Sequence, residues 1–196
     1  MNKEKLKKIG AIAAFPLVAV LGWVVVADRT AANGRAVHVV NGTPGPATLR
    51  LGSEELKVAP GQTGVIYVAE GAHEASVELA GEPAESVPFV LEGSALERFL
   101  DRSAFVINMG GRATLRWEEE EYGTRPSGRR RPTRMIFGDR FVALRDVDYA
   151  FEPFPEKIDS SDDVVTRTRL SVVMAEPAEI AAGFPGDAPR GLDYCE

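Results

Sequence analysis

The chain is poor in the residues that most often carry chemistry. Its 196 residues include one cysteine, Cys195, and two histidines, His38 and His73. A single cysteine excludes a disulfide within the chain and leaves a crosslink to another chain or a capped thiol. The histidines lie far apart and outside any HExxH frame, so a zinc site would have to borrow carboxylates from elsewhere. There is no GxSxG, and with it no serine-hydrolase elbow. Beyond Lys8 the only lysines are Lys57 and Lys157, which leaves little material for a Ser–Lys dyad. The sequence calls for no cofactor.

Long apolar runs are also scarce, with one exception. Ile9 to Ala27 carries no charge, and as a helix it would span about 28 Å, close to the hydrocarbon thickness of a bilayer. Lys3, Lys5, Lys7 and Lys8 precede it, opposed only by Glu4, which places the N-terminus in the cytoplasm. Trp23 stands near the outer end, at headgroup level, and Pro16 is tolerable within a membrane helix. The expectation is a single-pass protein of the cytoplasmic (inner) membrane, its C-terminal domain outside, with the bilayer as partner through residues 9–27. The alternative is a secretory signal cleaved near Ala27, after Val25-Val26-Ala27. The remainder is acidic, which argues against nucleic acid as a partner.

The expected organisation is a cytoplasmic head (1–8), an anchor or signal (9–27), a linker (28–35), a β-sandwich domain (36–175) and an irregular tail (176–196). Within the domain, apolar and polar residues alternate in short segments broken by glycine and proline. Ala75, Val77 and Leu79 share one face of a predicted strand. So do Ala113, Leu115 and Trp117; Val147, Tyr149 and Phe151; and Thr168, Leu170 and Val172. One-sided alternation predicts a mainly β fold, an antiparallel β-sandwich. One short helix is predicted over Ser94 to Arg102, where Ser94 and Glu97 have capping-box spacing; it would cross between the sheets.

A weak repeat runs through the domain. Val39-Val40-Asn41 leads through a turn to Ala47-Thr48-Leu49-Arg50-Leu51. Val106-Ile107-Asn108 leads likewise to Ala113-Thr114-Leu115-Arg116-Trp117. Two related β-units would produce this pattern, and so would coincidence between two hairpins. The stretch Val39 to Gly81, with Pro60-Gly61 in one turn and Glu70-Gly71-Ala72-His73 before its last strand, resembles the PEGA-type and similar Ig-like modules of bacterial envelope proteins. The PEGA tetrapeptide itself is not spelled out. The resemblance implies an accessory or binding module and no catalytic residues.

Two opposite charge runs are the sharpest surface features. Glu118-Glu119-Glu120-Glu121 continues the strand that holds Trp117. RPSGRRRPTR follows, a predicted loop carrying Arg125, Arg129, Arg130, Arg131 and Arg134. Those arginines suit the carboxylates or phosphates of an envelope protein or an anionic envelope polymer. A solvated loop neutralised by the glutamates is the competing reading. Asp159-Ser160-Ser161-Asp162-Asp163 offers oxygens to calcium but lacks EF-hand spacing, and a turn accounts for it. The favoured function is a non-catalytic interaction or accessory module of the cell envelope. The alternatives are an exported metal-dependent hydrolase using His38 or His73, and a carbohydrate-binding domain reading sugars through Trp117, Tyr122 or Tyr149.

Overall fold

The computed structural model describes residues 34–100, 102–123, 132–158 and 164–173. The apolar run 9–27, four arginines of the basic stretch, the acidic 159–163 segment and Cys195 lie outside them. The first half supplies β1 (Arg35–Val40), β2 (Ala47–Leu51), β3 (Glu54–Val58), β4 (Thr63–Val68), β5 (Gly71–Leu79) and β6 (Glu85–Leu91). A short helix, α1 (Ala95–Leu100), leads into β7 (Ala104–Asn108) and β8 (Thr114–Gly123). The remaining strands are β9 (Thr133–Ile136), β10 (Phe141–Leu144), β11 (Tyr149–Ala150) and β12 (Val164–Val173).

The strands form three four-stranded sheets, ordered β3-β2-β5-β6, β10-β7-β1-β4 and β11-β12-β8-β9. The second is a middle layer with a core on each face. Val37, Val39, Phe105 and Ile107 pack with Leu49, Val77 and Phe89 on one side. Val40, Ala104 and Val106 pack with Leu115, Ile136 and Leu170 on the other. Strand β7 is buried at all five positions, and its unbroken AFVI run is what a strand covered on both faces requires. The fold is therefore mainly β, with three layers rather than two sheets face to face.

Pairing is mixed rather than uniformly antiparallel. Strands β1 and β7 run parallel in the centre of the middle sheet, with Val37 opposite Phe105 and Val40 opposite Asn108. The short β11 also pairs parallel to β12. A parallel neighbour needs a long crossover, and β2 to α1 provide it. The predicted strand over Asp146 to Phe151 shortens to Tyr149–Ala150, because Asp146 and Phe151 take φ of 55° and 61° and break extended pairing at both ends. Val147 is buried as expected. The predicted helix forms over Ala95–Leu100 and joins an outer sheet to the middle one. Its capping box closes in both directions: the Ser94 amide donates to Glu97 Oε2 at 2.7 Å, and the Glu97 amide donates to Ser94 Oγ at 3.2 Å.

The two Asn-headed segments occupy equivalent corners. Asn41 directly follows β1 and Asn108 ends β7; each asparagine is buried where the chain leaves the middle sheet. The Asn41 amide donates to Gln62 O and the Asn108 amide to Arg140 O, in each case just before the strand that returns to the middle sheet. Strand β4 then pairs antiparallel with β1, and β10 with β7. The chain leaves β1 for one outer sheet and β7 for the other. Ala47 and Leu49 enter the first core, Ala113 and Leu115 the second.

Candidate functional site

The middle sheet separates the histidines. His38 alternates with Val37 and Val39 on β1 and lies against Phe151, ring centroids 4.9 Å apart, on the side of the second core. Burial holds its imidazole below the ordinary value, and nearby Glu152 pulls weakly the other way. His73 lies over Phe89 of the first core, with Nε2 2.7 Å from the carbonyl of Ala69. The structure does not bring the two together. Among the described residues no cluster of three or more His, Cys, Asp or Glu side chains is placed to hold a metal.

Among the described residues, the acidic run faces arginines across the sheet. In the β8–β12 ladder Glu118 stands opposite Arg169 and Glu120 opposite Arg167. Arg169 Nε donates to Glu118 Oε1 at 2.8 Å, and Arg116 Nη2 lies 3.3 Å from the same oxygen. The Arg169 guanidinium also covers the Phe154 ring at 4.5 Å, and Tyr122 and Tyr149 meet that ring edge-on. Arg134 lies not in a loop but on β9, opposite Trp117, with its guanidinium 5.0 Å from the indole centroid. Trp117 is half-buried against the second core. Arg125, Arg129, Arg130 and Arg131 are outside the described residues.

Two surfaces stand out that are not among the candidate sites read from the sequence. One is a cleft of about 360 Å³ lined by Leu100, Arg102, Asp148, Tyr149 and Arg167. Asp148 is fully engaged: Oδ1 is 3.0 Å from Arg102 Nη2, and Oδ2 accepts from the Thr168 amide at 2.9 Å and the Thr168 hydroxyl at 3.1 Å. Arg102 Nε is buried without an acceptor. Arg167 makes one long bond, 3.4 Å, to the Thr166 carbonyl.

The other surface is the edge of β4 that no second described strand pairs with. Its sequence, TGVIYV, has no charge and no proline, and β1 is its one partner strand among the described residues. Ile66 and Val68 enter the first core, whereas Val65 and Tyr67 face outward, Tyr67 with 70% of its surface exposed. The edges of the adjacent sheet are guarded, β3 by Glu54, Glu55 and Lys57 and β6 by Glu85 and Pro88, whereas β10, the opposite edge of the middle sheet, is uncharged like β4 but only four residues long.

No family model matches the chain, and no curated protein or solved structure matches it either. Function therefore rests on the surfaces themselves. The β4 edge had a signal in the sequence, a six-residue strand pattern free of charge and proline; its place at a sheet edge did not. The cleft had none, because its residues come from three separate segments.

Proposed function

We propose that this is a membrane-anchored extracytoplasmic β-protein that acts as a non-catalytic interaction module of the cell envelope, receiving an extended, uncharged strand of a partner protein along β4. The β4 edge, paired on one side only among the described residues, carries this reading. An edge that exposes backbone donors and acceptors beside Val65 and Tyr67, with no charge or proline to repel a neighbour, is built for strand addition. With no charge on β4, an apolar strand laid along it buries no ionised side chain of that strand. The run Ile9 to Ala27 supports the anchor, and the likeness of Val39 to Gly81 to PEGA-type modules supports an accessory role.

The test is a photo-crosslinker at Val65 in the full chain in its native membrane. The expected product is one discrete adduct with a different protein, lost when Tyr67→Lys places a charge on the edge while the melting temperature is unchanged. An adduct of two copies of this chain, or none, overturns the reading.

A further inference from the structure

The cleft beside α1 has the chemistry of an anion site in a protein whose net charge is −6. Of its three charged residues two are arginines, and the single carboxylate, Asp148, is saturated by Arg102 and Thr168. Within the lining one guanidinium remains beyond that pair, Arg167, with Glu120 opposite it across the ladder. Arg167 has donors to spare, and Arg102, whose Nη2 is held by Asp148 and whose Nε is buried, is still 38% exposed at its side chain. A guanidinium pair with unfilled donors matches the oxygens of a phosphate group, which Arg binds in a bidentate fork.

The rim is not uniformly polar. Leu100 is 49% exposed beside the arginines, and Tyr149 lines the same cleft. A soluble anion gains nothing from an exposed leucine, whereas a phosphate joined to an acyl chain does. Position points the same way. Strands β1 and β7 are parallel with Val37 opposite Phe105, so Arg102, three residues before Phe105, sits at the end of the sheet where Gly34 enters β1. The chain between Ala27 and Gly34 reaches at most about 24 Å.

We infer that the cleft of Leu100, Arg102, Tyr149 and Arg167 binds a phosphate ester, the headgroup of an anionic lipid, and thereby holds the domain against the membrane surface. This rests on the reading of residues 9–27 as an anchor. Asp148 holds Arg102 in place through its ion pair.

The full chain, first in neutral detergent, is titrated with inorganic phosphate while the arginine side-chain Nε–H signals are followed by NMR. Saturable shifts of the Arg102 and Arg167 signals are expected, with the affinity lowered at least five-fold in Arg102→Gln and in Arg167→Gln. Arg167→Gln keeps the test sound should loss of the Arg102–Asp148 pair disturb folding. No shift, or one that survives Arg167→Gln, overturns the site. The lipid source is tested in nanodiscs of phosphatidylcholine with and without phosphatidylglycerol. Slower amide exchange at Val147–Tyr149 and Thr166–Thr168 in the anionic discs supports the headgroup; equal exchange in both overturns it. The anchor is checked separately by alkaline extraction of membranes. Release there defeats the anchoring reading, while the phosphate titration still decides whether the cleft is an anion site.

Discussion

Asn41 and Asn108 do the same work at two corners of the middle sheet. The Asn108 side chain closes its own turn, with Oδ1 accepting from the Ala113 amide at 3.0 Å and Nδ2 donating to the Ala113 carbonyl at 2.8 Å. Asn41 Oδ1 accepts from the Thr43 amide at 2.9 Å, and its Nδ2 donates to the carbonyls of Gly45 and Val58, both at 2.9 Å. Each amide replaces backbone partners that a buried corner lacks. Between the strands, Val37 pairs with Phe105 and both enter the first core. Like residues of the two segments, Val39 and Val106 for example, are one residue out of that register and so face opposite cores.

Asn108→Ala leaves the Ala113 amide and carbonyl buried without their partners. The expected loss is about 2–3 kcal/mol in urea unfolding, with a similar loss for Asn41→Ala. A loss below about 0.5 kcal/mol at either site would remove the corner from the list of what holds the fold together.

Gly42 is fixed by the opposite corner rather than by its own backbone. A Cβ there would lie 2.4 Å from the Ala113 amide nitrogen, where neither backbone can yield. Gly42→Ala is expected to cost about 3 kcal/mol or more. Gly52→Ala, at φ +58° with open space around it, should cost only about 1 kcal/mol for the left-handed backbone. Thermal melts of the two variants should separate clearly.

Arg169 and Glu118 are partly buried, with side chains 22% and 19% exposed. A double-mutant cycle is expected to give a coupling of about 1–2 kcal/mol that persists in salt. The exposed pair Arg50 and Glu78, bonded at 2.7 Å, should show a smaller coupling that salt removes.

His38 sets a pH dependence. Its folded pKa lies below the ordinary 6.5 because burial disfavours the imidazolium. The unfolded chain therefore takes up a proton first as pH falls. Stability contributed by the neutral ring is complete above 6.5 and is lost between that value and the lowered one. Chemical denaturation from pH 7.5 down to pH 5 should show a decline that His38→Gln flattens. An identical profile in the variant would assign the decline to other groups.

Much of this fold is legible in the sequence, and the failures have physical causes. Alternation locates β5, β8 and β12 because each has one wet face, as Ala75, Val77 and Leu79 show. The capping box at Ser94 and Glu97 locates α1 because its bonds are local. Strand β7 is legible as the arm that leads into the Asn108 turn, but that both its faces are dry is not, and the third layer is missed with it. Arg134 looks like part of a loop from its arginine, proline and glycine neighbours, yet Trp117 across the ladder holds it on β9. The cleft is invisible to any linear pattern: Leu100 and Arg102 meet Asp148, Tyr149 and Arg167 only after the middle and outer sheets have stacked.

The seam between β1 and β7 also has a mechanical consequence. A chain tethered through residues 9–27 would transmit any pull to Gly34 and along the axis of β1. That strand is bonded to β4 on one side and β7 on the other, so the load would fall on both ladders in shear. Its bonds would have to give way together rather than unzip one at a time, and both cores would tear with them. The strand that would first receive that tension is one held on both sides.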